Sequence, residues 1–304
     1  MVKGAVAMSL LAVSMLQAAD QEPRTRFRAG TELVHVGVTV TDRKGSVVSG
    51  LTREDFELVE DGVPQQIDYF AQGSDASSPD LHVGLMLDTS DSMAVDIDTS
   101  RTAAIKFLNR LPEAEDLTVV DFATEVRIGR FTQDDFPRLV ERIRSREVEG
   151  WTALYDAFAV YLHGAQENQG RTILVAFTDG GDSRSTISFG DAVDAVRGSN
   201  VTIYVVGFLE HQSAAARNDQ RFRLSRIAEE SGGLAIFPLS MKDIERAYDQ
   251  IVGEIQGQYS LGYVSTNSAR DGKWRKIEVR LRPGVKDARI RTRGGYVAPS
   301  GPPS

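Results

Sequence analysis

The sequence predicts an α/β fold in which a mostly parallel β-sheet, with helices on both faces, is inserted into a small discontinuous antiparallel β-sandwich. Three observations support this prediction. Within residues 79–257, short continuous apolar runs alternate with helical patterns, which is typical of a parallel sheet buried on both faces. The flanking segments 20–78 and 258–299 show the alternation of half-buried strands. Neither flank is large enough to bury a core alone, so we expect the two to pair with each other.

The first nineteen residues have the pattern of a secretory signal peptide. Lys3 precedes an apolar run from Gly4 to Leu16, and the small-residue stretch QAA follows it. The run is shorter than the roughly 20 residues of a membrane-spanning helix. We therefore expect export to the periplasm or the extracellular space, with no transmembrane segment in the mature chain.

The N-terminal flank shows strand signals. Val34, Val36, Val38 and Val40 alternate with other residues, and a hairpin signal, Asp-Gly, stands at residues 61 and 62. The segment 71–80, AQGSDASSPD, is typical of a linker.

The central region then changes pattern. Buried-strand runs are LHVGLMLD at 81–88, LTVVDFA at 117–123, RTILVAFTD at 171–179 and VTIYVVGF at 201–208. Helical spacing is seen at Ala104, Phe107, Leu108 and Leu111, and around 153–165, 189–198, 221–231 and 241–256.

The C-terminal flank is basic. Residues 258–304, which end in a short tail at 300–304, hold ten Lys and Arg against three Asp and Glu, and Arg289, Arg291 and Arg293 alternate along one predicted strand. A stripe of this kind usually forms a solvated edge that discourages strand association. The alternative is docking on an anionic envelope component or an acidic partner.

Composition excludes several classes of function. The chain of 304 residues has a formal net charge of −8, which argues against a general affinity for nucleic acid. It has no cysteine, so disulfides, thiolate nucleophiles and zinc–thiolate sites are excluded. The four histidines are scattered through unrelated contexts and predict no site.

Five oxygen-bearing residues are predicted to meet at the carboxyl edge of the sheet, where the ligand crevice of such folds lies. Asp88, Ser90 and Ser92 follow the first buried strand at alternate positions, Asp179 ends another strand, and Thr152 precedes a helix. Hard oxygen donors favour Mg²⁺, with Mn²⁺ or Ca²⁺ as alternatives. Because hydroxyl ligands are neutral, the ion would keep most of its charge and attract a carboxylate from a partner.

This constellation resembles the metal-ion-dependent adhesion site of von Willebrand factor A domains, over about residues 80–257. The flanks GLTREDFELVEDGVPQQIDYF and TRGGYVAP are similar to a secreted bacterial group related to these domains and abundant in Acidobacteria. The resemblance implies a Rossmann-like fold, a divalent metal at Asp88, Ser90, Ser92, Thr152 and Asp179, and non-enzymatic binding or adhesion through a protein ligand's exposed Asp or Glu. Trp151, beside Thr152, is a candidate contact for that partner or packs over its own loop.

Two other functions stay open. An envelope scaffold or assembly protein would use the β-sandwich as its interface, with the metal only stabilising the fold. A haloacid-dehalogenase-like phosphohydrolase would use Asp88 as nucleophile, but that family needs a second Asp as general acid where this chain has Ser90. The sequence leaves open the partner, the oligomeric state and whether helix 241–256 moves on binding.

Overall fold

The computed structural model describes residues 33–73, 75, 77–111, 114–285 and 287–301. The predicted signal peptide lies outside the described residues. The strands are β1 (Leu33–Thr41), β2 (Phe56–Glu60), β3 (Val63–Gln65), β4 (Tyr69–Gln72), β5 (Leu81–Asp88), β6 (Asp116–Phe122), β7 (Val126–Phe131), β8 (Arg171–Thr178), β9 (Thr202–Gly207), β10 (Leu234–Ile236), β11 (Tyr259–Val264), β12 (Trp274–Leu281), β13 (Arg289–Arg291) and β14 (Gly295–Val297). The helices are α1 (Ile97–Leu108), α2 (Phe136–Ser145), α3 (Leu154–Gly164), α4 (Phe189–Arg197), α5 (Ala214–Glu230) and α6 (Met241–Gly257). Within the described residues, no helix combines the length and the hydrophobicity that crossing a bilayer requires.

The central sheet has six strands in the order β10-β9-β8-β5-β6-β7. Every neighbouring pair is parallel except β6 and β7, which are antiparallel. Every residue of β5, β8 and β9 is buried, as their continuous apolar runs predict. The predicted mostly parallel sheet is therefore confirmed.

Helices cover both faces of this sheet. Alternate residues of β5 point to opposite sides, so Leu85 joins the core formed with α1, α2 and α6, and Met86 joins the core formed with α3, α4 and α5. Three helices begin at a serine whose hydroxyl accepts a backbone N–H of the first turn, namely Ser188, Ser213 and Ser240. The Rossmann-like arrangement is confirmed.

Some elements differ from the sequence-based expectation. The sequence did not predict α2, β7 or β10, and α5 begins at Ala214, well before the predicted 221. In α5 the buried residues are Leu224, Ile227 and Ala228, all in its second half. The first half has no apolar face to detect, because it extends beyond the core.

The flanking strands form two antiparallel sheets, β13-β1-β11-β4 and β14-β12-β2-β3. Strand β1 pairs with β11 from Leu33↔Val264 to Val38↔Tyr259, and β2 pairs with β12 from Glu60↔Ile277 to Phe56↔Leu281. Both sheets thus combine strands that precede and follow the α/β unit. Their inner faces share one core, in which the largest buried side chains are Phe56, Leu58, Tyr259, Leu261 and Tyr263. The predicted discontinuous sandwich is confirmed.

The chain enters and leaves the α/β unit at one place. The Gly73 N–H donates to the Gln258 carbonyl oxygen over 2.8 Å. The buried Arg171 guanidinium donates to the Gly73 carbonyl at 2.9 Å and to the Ile255 carbonyl near the end of α6. These bonds hold the start and the end of the inserted unit side by side, as an insertion requires.

Two of the three alternating arginines of the C-terminal flank fasten the sandwich to the α/β unit. Arg291 donates to the fully buried Glu254 of α6. Arg293 donates to the carbonyl oxygens of Ser199, at 3.1 Å, and His35, at 2.6 Å. These two arginines are therefore structural links and not parts of a free basic surface.

Candidate functional site

The first part of the candidate site is the loop that follows β5. The Ser90 N–H and hydroxyl both donate to Asp88 Oδ1, at 3.0 and 2.6 Å. The Ser90 and Ser92 hydroxyl oxygens lie 3.1 Å apart. Asp88 and Ser90 are fully buried, whereas Ser92 is exposed. The alternate spacing thus places three oxygen donors in one hydrogen-bonded group that runs from the core to the surface.

The second part lies at the end of the neighbouring strand β8. Its last residue, Thr178, donates from its hydroxyl to Asp88 Oδ2 at 2.6 Å. The next residue is Asp179, which is buried and accepts from the Gly181 N–H at 3.0 Å and from Gln212 Nε2 at 2.8 Å. Because β5 and β8 are parallel neighbours, both carboxylates lie at the same edge of the sheet.

The third part is the loop before α3, which carries Thr152. Its Gly150 carbonyl accepts the Asp91 N–H at 3.0 Å, so this loop contacts the loop after β5. On the other side, the Thr152 N–H donates to Ser183 Oγ at 3.0 Å, and the Thr152 carbonyl accepts from the Ser183 N–H at 2.9 Å. Thr152 therefore stands between the two loops that carry the aspartates, and it is buried there.

The two carboxylates raise an electrostatic problem. Burial, and secondly the negative charge of Asp179, raise the pKa of Asp88 to about 7, against the lowering effect of hydrogen bonds from Ser90 and Thr178. Within the described residues, the hydrogen-bond partners of both carboxylates are neutral hydroxyl and amide groups. Two buried, mutually repelling acids without a basic partner are what a cation would stabilise.

The donor set suits a hard divalent cation. All five predicted residues offer oxygen, and two of them are carboxylates, so Mg²⁺ fits better than zinc or copper. Among the described residues, no group of three or more His, Cys, Asp or Glu side chains could hold a metal. A site here would therefore depend on hydroxyls as well as carboxylates.

Three residues near the site have contacts that sequence reasoning did not anticipate. Thr178 bonds Asp88 and Gln212 bonds Asp179. Asp182, another acid near the site, accepts the Leu154 N–H on its Oδ1 at 2.9 Å, at the start of α3. A hydroxyl at the last position of a strand beside Asp88 was a usable signal for Thr178, whereas nothing in the sequence pointed to Gln212, 33 residues away from its partner.

Trp151 lies at the surface beside the site. Its side chain is 66% exposed, and its backbone N–H donates to Thr124 Oγ1 at 2.9 Å. The backbone is thus fixed while the indole stays accessible. Of the two alternatives for this residue, packing over its own loop is not what the structure shows.

Comparison with known proteins gives the family. The model of the von Willebrand factor type A domain matches residues 82–251. A von Willebrand factor type A structure from Catenulispora acidiphila is 11% identical, with a TM-score of 0.50, covering 90% of this chain and 75% of that one. No curated protein matches the sequence.

Two further solved structures are similar over more than half of this chain. An aerotolerance-related membrane protein from Bacteroides fragilis is 18% identical over 58% of this chain and 98% of that one, with a TM-score of 0.46. The PilB minor pilin from Streptococcus sanguinis is 14% identical over 60% of this chain and 62% of that one, with a TM-score of 0.48.

The family match covers more than half of the 304 residues and coincides with the six-stranded sheet and its helices. The chain therefore belongs to the von Willebrand factor type A domain family.

Proposed function

We propose that this chain is an exported, non-enzymatic binding module of the adhesion type. It captures an acidic group of a protein partner through a divalent metal ion held by Asp88, Ser90, Ser92, Thr152 and Asp179. The observation that carries the proposal is the pair of buried carboxylates, Asp88 and Asp179, whose hydrogen-bond partners among the described residues are all neutral. Burying two such carboxylates in their charged form costs free energy unless a cation balances their charge.

The hydroxyl and carboxylate residues would contribute differently to holding the ion. The hydroxyls of Ser90, Ser92 and Thr152 supply neutral oxygens, and the two carboxylates supply charge directly or through water. Bound Mg²⁺ would supply an open coordination position for an outside carboxylate. Ser92 is the exposed member of the set, so the open side faces solvent near this residue.

The enzymatic alternative is disfavoured by the surroundings of Asp88. A phosphohydrolase of this kind would need Asp88 open to a substrate as nucleophile and a second Asp two residues later as general acid. Here the Asp88 side chain is fully buried, and Ser90, whose hydroxyl donates to Oδ1, stands at the position of the acid. Turnover of a generic phosphate ester that disappears in Asp88→Asn would favour the enzyme instead.

The scaffold alternative would use the β-sandwich as its interface. Of the three alternating arginines on the sandwich, Arg291 and Arg293 are engaged in bonds to the α/β unit. Arg289 is the exposed member of the three. Partner binding that survives EDTA but fails in Arg289→Glu would support a sandwich interface.

A calorimetric titration with Mg²⁺ tests the proposed site. The wild type is compared with Ser92→Ala and Thr152→Ala, each of which removes one hydroxyl, and with Asp98→Ala as a matched control. Asp98 lies in α1, and its side chain is 95% exposed. We expect the two hydroxyl variants to bind Mg²⁺ at least about tenfold more weakly, because each lacks a ligand, while the control binds normally. Equal binding by all four proteins would show that the site does not exist.

A capture experiment in Mg²⁺ tests whether a partner binds through the metal. The full chain is used to capture proteins from an envelope extract in Mg²⁺, and the bound fraction is released with EDTA. A protein released from wild type but absent with Thr152→Ala is the expected result. Capture that is the same with both proteins would contradict a metal-dependent partner.

A further inference from the structure

We propose that the group captured at this site is a single acidic side chain flanked by apolar side chains, which Trp151 and Val95 contact. This inference rests on the proposed function and adds the partner's chemical class. Trp151 is 66% exposed and Val95 is 70% exposed. Large apolar side chains so open to water, grouped around a candidate site, are typical of contact surfaces.

The positions of the two side chains relate them directly to the candidate metal ligands. Trp151 is the residue before Thr152, and Val95 stands three residues after Ser92. The Asp91 N–H bond to the Gly150 carbonyl, at 3.0 Å, joins the two loops. An acid that reaches the exposed side of the site at Ser92 therefore brings its neighbouring residues to these loops.

Both loops are held in place before any partner arrives. The Trp151 N–H is bonded to Thr124 Oγ1, and the Asp96 N–H after Val95 is bonded to the Met93 carbonyl at 2.9 Å. Asp96 also lies 3.6 Å from His211 Nε2 on the loop after β9. Contacts made by preorganised loops need little ordering on binding, so the apolar area can contribute to affinity.

The charge around the site selects against a polyanionic partner. Beside the site lies a cleft of about 540 Å³, whose wall includes Thr89 and Gly150 from the two loops. Its ionisable lining is Asp121, Glu125, Arg127, Arg146, Glu147 and Glu149. Arg127 is paired with Glu125 at 3.1 Å, and Asp121 is paired with both Arg146, at 2.9 Å, and Arg142, at 2.8 Å. With Arg142 counted, these four acids and three arginines leave one net negative charge, carried by Glu147 and Glu149 on the lining.

A further exposed carboxylate, Asp91, stands next to Ser92. One carboxylate that reaches the metal is attracted, but a second or third acid beside it meets this negative rim. The complementary ligand therefore has one acid among neutral, apolar neighbours.

Three blocked heptapeptides test the inference with the full chain. They carry one Glu between two Leu, one Glu between two Ser, and three consecutive Glu, and they are otherwise Gly. Binding is measured by calorimetry in saturating Mg²⁺ and again in EDTA. We expect the Leu-flanked peptide to bind at least about tenfold more tightly than the Ser-flanked one, only in Mg²⁺, and the triple-Glu peptide to bind no better than the Ser-flanked one.

Variants assign the preference to the two side chains. Trp151→Ser and Val95→Ser should each lose most of the preference for Leu flanks while keeping Mg²⁺ affinity and the Ser-flanked affinity. Trp274→Ser is the matched control, because Trp274 is the other tryptophan of the chain, 41% exposed on β12 of the sandwich. In a Trp274→Phe background Trp151 is the only tryptophan, so its fluorescence should shift with the Leu-flanked peptide alone.

Different results contradict the apolar contact and the metal-dependent capture. Mg²⁺-dependent binding of all single-Glu peptides with equal affinity overturns the apolar contact and leaves metal-dependent capture standing. The strongest binding by triple-Glu overturns the charge argument and the inference with it. Peptide binding that is unchanged by EDTA overturns the proposed function as well.

Discussion

The Thr178 hydroxyl donates a 2.6 Å hydrogen bond to Asp88 Oδ2, which joins the ends of the neighbouring parallel strands β8 and β5. The same hydroxyl accepts the Gly180 N–H at 3.0 Å. Thr178 thus positions a predicted metal ligand and begins the loop that carries Asp179. Residues that orient ligands in this way have large effects on metal affinity without contacting the ion.

Thr178→Val is therefore expected to weaken Mg²⁺ binding about tenfold, because Asp88 loses the donor that orients Oδ2. The measurement is calorimetric titration with Mg²⁺. Thr172→Val is the matched control, since Thr172 lies on the same strand with a buried hydroxyl that has no hydrogen-bond partner among the described residues. A control that weakens Mg²⁺ binding as much as Thr178→Val would exclude a specific positioning role.

The raised pKa of Asp88 predicts how the metal-free protein responds to pH. The folded-state pKa is about 7, against an ordinary 3.8, so the protonated form is favoured by folding. This contribution to stability is fully present below pH 3.8 and is lost as the pH rises through 7. The Asp88→Asn side chain cannot ionise, so this variant does not lose stability for this reason as the pH rises.

In EDTA we therefore expect Asp88→Asn to become more stable than wild type as the pH rises from 4 to 8, by a few kcal/mol at most (~1.4 per pKa unit). Urea unfolding of both proteins at several pH values gives the difference between their free energies of unfolding. The titration of groups other than Asp88 is common to both proteins and cancels in this difference. Mg²⁺ at pH 8 should stabilise the wild type alone. A difference between the two proteins that stays constant over this pH range would contradict the prediction.

The link between Arg291 and Glu254 predicts a loss of stability. Glu254 of α6 is fully buried, and Arg291→Met removes the cation that it contacts. An unpaired buried carboxylate destabilises a protein strongly, so we expect the free energy of unfolding to fall by about 3 kcal/mol. Arg289→Met, at the exposed first residue of β13, should change it by less than about 0.5 kcal/mol.

A second change tests whether burial of the charge is the cause. Adding Glu254→Leu to Arg291→Met removes both partners and should recover most of the lost stability. If the double variant is as unstable as Arg291→Met, the arginine acts through packing and not through its charge.

The junction between the sandwich and the α/β unit predicts a position that tolerates only glycine. A Cβ on Gly73 would lie 1.5 Å from the backbone carbonyl oxygen of Gln256, which cannot move without shifting α6. Gly73→Ala should therefore separate the entry and exit of the inserted unit and lower the thermal midpoint by several degrees. Gly253→Ala in α6, where a Cβ meets nothing within 4 Å, should raise stability by about 0.5–1 kcal/mol. Equal midpoints for wild type and Gly73→Ala would refute the close packing.

Much of the fold could be predicted because burial leaves a local pattern. The apolar runs of β5, β8 and β9 and the alternating valines of β1 each report their own surroundings, so strand type and fold class followed from short stretches. The helix α2 was not predicted, although Phe136, Leu139, Val140 and Ile143 have helical spacing and pack in or against the core. This helix was therefore predictable from the local pattern.

The residues of the candidate site were also predictable only in part. Asp88, Ser90 and Ser92 were identifiable because oxygen-bearing residues follow a buried strand at alternate positions. The expected extended loop was wrong for Ser92, which lies in a short 3-10 helix, Asp91–Met93. The contact of Asp182 with the start of α3 was not predictable from local sequence, because it joins residues 28 positions apart. The metal itself stays a prediction.

The sequence by itself determined the alternation of buried strands and helices in the central region, the family, and the oxygen-bearing residues at two strand ends, since each depends on the periodicity or chemistry of neighbouring residues. Only the tertiary structure decided that Arg291 meets Glu254, that Gln212 meets Asp179 and that Trp151 stays open to solvent. Contacts of that kind join segments tens of residues apart, and they depend on how whole elements pack, which no local pattern records.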